Sequence, residues 1–180
     1  MRLRDLLLTL LLVPAACFCA DNEQLRTIVH ADQDERQSLG RPDDWKGMMQ
    51  RDAQRRVQVH AELAAGRVRT SADFYNAALV MQHGQGLEDI RMAHALATIA
   101  SSLDPLDRSA RWLKAASWDR MMTTQGKSQW YGTQYRQDPD GKWVLIKVDE
   151  TAVADAQRIE LAVPTLAESK KRMEDMNRAK

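Results

Sequence analysis

From Asn22 to Thr124 the apolar side chains recur every three or four positions, in runs punctuated by glycine and proline. That spacing lines one face of successive amphipathic helices and leaves no room for a sheet of any size. Five helices are expected. The first, Asn22 to Leu39, carries Leu25, Ile28, Val29 and Leu39 and is stopped by Gly40. Beyond the turn at Arg41-Pro42-Asp43-Asp44, a second runs from Trp45 to Ala65, with Gly66 placed for the left-handed position past its end. The third opens at Thr70. There Thr70 and Asp73 have capping-box spacing, or Ser71 caps directly. Its stretch from Phe74 to Gln82 is apolar on nearly every face, which places it centrally. Gly84 and Gly86 separate it from a fourth helix, Leu87 to Ser102, which ends before Pro105. The fifth runs from Asp107 to Thr124 and stops near Gly126.

The period then changes. Gln129 to Arg136 and Lys142 to Val148 alternate polar and apolar residues around Asp138-Pro139-Asp140-Gly141, which predicts a β-hairpin over 129–148. The expected register puts Tyr131, Thr133 and Tyr135 on one face with Val144, Ile146 and Val148. A lone hairpin is marginal, so that face should pack on the helices. Thr151 to Val163 reads as a short helix ended by Pro164, and Thr165 with Glu168 opens a polar tail helix. Ala93, Ala100 and Pro105 give the third and fourth helices the phasing of one degenerate tetratricopeptide-like pair. The large aromatics of that repeat and a second copy are missing, so this is a similarity of packing. The expected class is mainly α: a helical-hairpin bundle with one small β-hairpin.

The chain begins with Arg2 and Arg4, an apolar run from Leu6 to Val13, and then small residues up to Ala20. This order reads as a secretory signal over residues 1–20, ahead of a single domain over 21–180. The apolar run is short for a bilayer span, which needs roughly 20 residues; a retained anchor or a buried first helix are the alternatives. Two cleavage positions fit, each with one flaw. A cut after Ala20 meets bulky Phe18, and a lipoprotein-type cut that would leave a lipid on Cys17 meets Pro14. Both cysteines of the chain, Cys17 and Cys19, lie in this segment, so the domain has neither a disulfide nor a thiolate site. Losing Arg2, Arg4 and Asp5 from 26 basic and 25 acidic residues leaves the two signs equal. That balance argues against non-specific binding to nucleic acid or to an anionic membrane, leaving a lipid on Cys17 as the only membrane contact.

Polar residues interrupt the apolar stripes. The first helix's face passes through Leu25, Ile28, Val29, Asp32, Arg36 and Leu39. The second helix's passes through Trp45, Met48, Met49, Asp52, Arg56, Val59 and Leu63. An inward charge costs several kcal/mol unless it is paired or used. Two Asp–Arg pairs on adjacent helices could meet as a four-charge network that sets helix register, or as the floor of a polar pocket. The same spacing also occurs on solvated surfaces. Further candidates stand at element ends: Gln82, His83 and Gly84, then Asp119 and Arg120, then Gln129 and Gln134, then Arg158. His83 either caps a helix end or acts as a general base oriented by Asp119. His30, His60 and His94 fall on three different helices without metal-ligand spacing, so no metal and no cofactor are expected. No phosphate loop or nucleophile elbow occurs. The tryptophans read as packing residues. The exceptions are Trp130 and Trp143, placed on the outward hairpin face where aromatics can anchor a partner.

The ordered set Asp32-Gln33-x-x-Arg36, Asp52, Gln82-His83-Gly84, Asp119-Arg120, Gln129-x-Tyr131-Gly132-Thr133-Gln134 and Arg158 resembles an uncharacterised bacterial family, a domain of unknown function. The similarity spans roughly residues 25–166. It implies a bacterial origin and a helical body with a small hairpin, and it brings no activity. The expectation is an exported envelope protein, periplasmic, secreted or lipid-tethered. It would act as a non-enzymatic binding or interaction module for a small polar ligand or an envelope protein. The alternative is an envelope hydrolase with His83 as base, Asp119 orienting it, and Arg56 or Arg120 stabilising an anion. An immunity or inhibitor protein fits the size and the export, but no residue carries it.

Overall fold

The computed structural model describes residues 20–38 and 44–178; the expected signal segment with Cys17, and the stop at Gly40, lie outside the described residues. Among the described residues, seven helices and a two-stranded antiparallel hairpin follow in the order α1 (Glu23–Ser38), α2 (Trp45–Ala64), α3 (Ser71–Met81), α4 (Leu87–Leu103), α5 (Arg108–Thr124), β1 (Tyr135–Gln137), β2 (Trp143–Leu145), α6 (Asp155–Glu160) and α7 (Leu166–Arg178). The class is mainly α, with one small hairpin, as the periodicity predicts.

The apolar α3 is the hub, packing against α1, α2, α4 and α5. Its start is held by the full capping box between Thr70 and Asp73. Alanines line the seam between α3 and α4: Ala77, Ala78, Ala93 and Ala97 are all sealed from solvent. Small side chains let the two backbones approach closely, and Leu25, Val59, Met81 and Leu113 fill the space around that seam. No helix among the described residues is long and apolar enough to cross a membrane.

The hairpin departs from expectation in length and in register. Tyr135 pairs with Leu145, Arg136 with Val144 and Gln137 with Trp143. Tyr135 therefore shares a face with Leu145 and Trp143, one residue out of step with Val144 and Ile146, and a one-residue slip exchanges the two faces of a strand. The reason lies upstream. Residues 129–134 are drawn off as a loop onto α5, leaving a single parallel bridge between Gln129 and Val148. Helix α7 then covers the outer edge of β2. Asn177 accepts the Trp143 N–H at 2.7 Å and donates to the Trp143 carbonyl at 2.9 Å, and the Tyr135 hydroxyl donates to the Ser169 carbonyl at 3.1 Å. Those bonds satisfy a strand edge that would otherwise be open.

The tryptophans also redistribute. Trp130 is half-buried against Trp118, with ring centroids 4.6 Å apart, and Trp143 is half-buried at the α7 contact. Neither is an outward anchor. Trp45, expected on the inner face of α2, is 57% exposed instead. It occupies the first position of the helix, where no preceding turn covers it.

Candidate functional site

Asp32, on α1, is sealed from solvent, and Asp52, on α2, is nearly so. Between them lies the Arg36 guanidinium, whose Nη2 donates to Asp52 Oδ2 at 2.8 Å and to Asp32 Oδ1 at 3.2 Å. A second arginine closes the network: Arg55 Nη1 donates to Asp52 Oδ1 at 3.0 Å and lies 3.6 Å from Asp32. Arg55 also pairs with Glu35, which is bonded by Arg51 as well. Three carboxylates thus meet three guanidiniums across the α1–α2 contact, which is how charges at that depth become tolerable.

The expected fourth member was Arg56, and here the structure corrects the sequence. Arg56 turns the other way, to Asp89 on α4, with Nε 3.2 Å from Oδ2. Arg55 stands one position earlier and three after Asp52, a spacing that also shares a helix face. That spacing was the available signal for Arg55. Asp89 in turn rests on Gly84. A Cβ at residue 84 would sit 2.1 Å from the Asp89 Cβ, so only glycine lets the start of α4 close onto the end of α3.

His83 reaches the same network from the end of α3. Its Nδ1 is 3.2 Å from Asp32 Oδ2 and 3.1 Å from Arg36 Nε. Burial by itself would raise the Asp32 carboxyl. The hydrogen bond and charge of His83, with the charge of Arg36, outweigh that and hold it at about 2. The pairing of His83 with Asp119 is not found. Both Asp119 oxygens are taken by backbone and hydroxyl donors elsewhere, and the carboxylate that touches His83 is Asp32.

Asp119 belongs to a second, closed cluster. It is sealed from solvent on α5 and accepts from the Trp130, Tyr131 and Thr133 N–H groups at 2.8, 2.9 and 3.0 Å, and from the Thr133 hydroxyl at 2.8 Å. Gly132 makes this geometry reachable. Its φ of 83° reverses the chain so that the N–H groups on both sides point at one carboxylate. The carbonyls of the same loop are held from the opposite side by buried Arg158, which donates to Trp130 O at 2.9 Å and Tyr131 O at 3.2 Å. Buried Gln129 replaces a strand partner: its amide donates to Gln134 O and Ile146 O and accepts from Gln134 N. Asp119, Gln129, Gly132, Thr133 and Arg158 form a peptide clasp, fully bonded and shut.

Between the charge network and this clasp lies an open cleft of about 520 Å³. Its polar lining includes Arg36, Asp52, His83, Arg120 and Gln134; its apolar lining is Trp45, Met48, Met49 and Ile90. Arg120 is the unusual member. Its Nη1 donates to the Gln82 carbonyl at 2.8 Å, capping the end of α3. It has no carboxylate partner among the described residues, and its Nε and Nη2 make no hydrogen bond there while remaining reachable from solvent. Burial, with the charge of Arg36 behind it, holds its guanidinium below the ordinary arginine value. The Gln134 side chain spans from α5 to the cleft wall, donating to Ala116 O at 3.2 Å and to the Thr133 hydroxyl at 3.1 Å.

Arg36, Asp52, His83, Arg120 and Gln134 therefore converge around one concavity, with Asp32 sealed behind Arg36 and His83. Gln82 contributes its carbonyl, Arg56 and Asp119 lie outside, and Cys17 is outside the described residues. Among the described residues no group of three or more His, Cys, Asp or Glu side chains could hold a metal ion. No protein-family model, curated protein or solved structure significantly matches the chain.

Proposed function

We propose that the chain is an exported bacterial binding module whose cleft takes a small anionic ligand. The observation that carries this reading is Arg120. A partly desolvated guanidinium lining a concavity, without a counter-ion among the described residues and with its Nε and Nη2 unoccupied there, is a costly arrangement unless something negative completes it. A charge-assisted bond from an anion would supply the missing partner. Export rests on the basic, apolar and small-residue order of the first twenty residues.

The test is a thermal-shift series with acetate, phosphate and sulfate against chloride at constant ionic strength. A ligand at 100 times its Kd stabilises by about 2.7 kcal/mol. The shift should vanish in Arg120→Met and survive in Arg26→Met, whose arginine pairs with Glu23 on the exposed side of α1. No shift with any anion would defeat the reading.

One observation favours a second reading. His83 touches both Asp32 and Arg36 through the same nitrogen, and the two contacts ask for opposite tautomers. If the ring is neutral and Nδ1 donates to Asp32, Nε2 is a lone-pair base on a side chain that lines the cleft, and hydrolysis becomes feasible with Asp32 in the orienting role given above to Asp119. If Nδ1 accepts from Arg36, Nε2 carries the hydrogen and donates to a bound anion. Nitrogen-15 shifts of the imidazole separate the two. A protonated Nε2, in a neutral or a cationic ring, sustains the binding reading, and a neutral ring protonated at Nδ1 alone turns attention to esterase and amidase assays.

A further inference from the structure

The balance of charge around the cleft, together with its apolar wall, narrows the class of occupant. We infer that the occupant is a monocarboxylate with an aromatic or branched apolar body, an inference that rests on the anion-binding reading above.

The charge argument comes first. Asp32, Glu35, Asp52 and Asp44 face Arg36, Arg51 and Arg55, with His83 on Asp32, so among the described residues every carboxylate and guanidinium of that network already has a partner within it. Among the described residues, Arg120 is the one cationic group of the cleft left without a carboxylate. One positive charge calls for one negative charge. A dianion would press its second charge towards Asp52, which also lines the cleft, and like charges at short range in a half-desolvated site repel strongly.

The donor geometry comes second. Nη1 of Arg120 is committed to the Gln82 carbonyl, which leaves the Nε–Nη2 edge of the fork. Two parallel N–H groups on a planar edge match the two coplanar oxygens of a carboxylate, the fit that separates arginine from lysine at such sites. The Gln134 side chain nearby is already engaged with Ala116 and Thr133, so it adds shape rather than a second counter-charge.

The third point is the opposite wall. Trp45, Met48, Met49 and Ile90 face the same space, and Trp45 leaves 57% of its surface in water. A bare inorganic anion would touch Arg120 and leave that wall wet. About 520 Å³ lies inside the roughly 300–1,000 Å³ of small-molecule sites, which bury apolar bodies and use few polar contacts. An indole and two thioethers form an adaptable apolar surface for a ring or branched chain.

The experiment is calorimetric titration of the purified protein with phenylacetate, indole-3-acetate and 4-methylpentanoate. Acetate, inorganic phosphate and the neutral phenylacetamide serve as comparators. At least one of the three apolar carboxylates should bind tenfold or more tightly than acetate and phosphate. Phenylacetamide should bind at least tenfold more weakly than phenylacetate. Arg120→Met should abolish carboxylate binding. Trp45→Ala, at a side chain 57% exposed, should weaken the apolar carboxylates several-fold relative to acetate. If acetate or phosphate binds as tightly as every apolar carboxylate, the inference is overturned and the anion cleft stands. If phenylacetamide matches phenylacetate, or if nothing in the panel binds, the inference and the anion reading fall together.

Discussion

Two buried polar clusters lie side by side in this molecule, and they are built on opposite principles. In the clasp, Asp119 and Arg158 hold the two sides of one loop and every donor finds an acceptor. Beside the cleft, Asp32, Asp52, Arg36 and Arg55 also bond one another, yet Arg120 keeps two nitrogens without a partner among the described residues and open to solvent. Both clusters look alike as charges in the chain. The difference teaches that saturation, rather than burial or charge, separates the two clusters, and under the proposed reading it separates scaffolding from a binding surface. A closed network has no reason to admit a ligand, whereas an open one is stabilised by it.

The comparison breaks most visibly at the clasp. Asp119→Ala should cost about 3–5 kcal/mol in urea unfolding, because three N–H groups and a hydroxyl lose their acceptor in a sealed site. A loss under 1 kcal/mol would mean that water replaces the carboxylate and the clasp is not structural. Gly84→Ala comes next, at roughly 2–3 kcal/mol, since its methyl overlaps Asp89 and the start of α4 must shift. Unchanged stability there would show that the end of α3 is not held by that contact.

Acid titration sharpens the cleft side. A carboxyl held at about 2 rather than its ordinary 3.8 contributes stability that is fully present above 3.8 and disappears as the pH falls through 2. The Asp32 contribution is about 2 kcal/mol. Glu62, bonded by Arg67 and Asn22 and also held at about 2, shares this window. Stability measured from pH 5 to pH 2 should therefore fall less steeply in Asp32→Asn without becoming flat. An identical slope would show that Asp32 is not the titrating partner of His83 and Arg36.

The smallest effect is the most discriminating. Arg120→Met should leave stability within about 1 kcal/mol of the parent or raise it, because it removes a desolvated cation that has no counter-charge among the described residues. Arg158→Met, at a residue of the same type, should lose several times as much. Equal losses at the two arginines would erase the distinction between the clusters.

Much of this was legible along the chain, and unevenly so. The five helices of the body sit within a few residues of where the apolar period and the glycines place them, and the Thr70–Asp73 box was readable from spacing. The inward charges Asp32, Arg36 and Asp52 were readable as interruptions of an apolar stripe. The choice of Arg55 over Arg56 was not, since both are within reach of Asp52 on a helix and only the position of Asp89 across the gap decides between them. The hairpin register failed for a comparable reason. Alternation over 129–134 is the pattern of a strand, but the buried Asp119 carboxylate outbids strand pairing for the same N–H groups.

What the sequence by itself determined is local and periodic: where helices start and stop, which face of each is apolar, that the domain holds no cysteine, and that charges lie at core positions. Those properties depend on neighbours a few residues apart, within reach of backbone geometry and caps. The tertiary structure alone decided which charge meets which. It gave His83 to Asp32, closed Asp119 and Arg158 around a loop, and left Arg120 facing an open cleft. Pairing between charges depends on distances of a few ångströms across helices far apart in the chain, and no spacing along one helix encodes them.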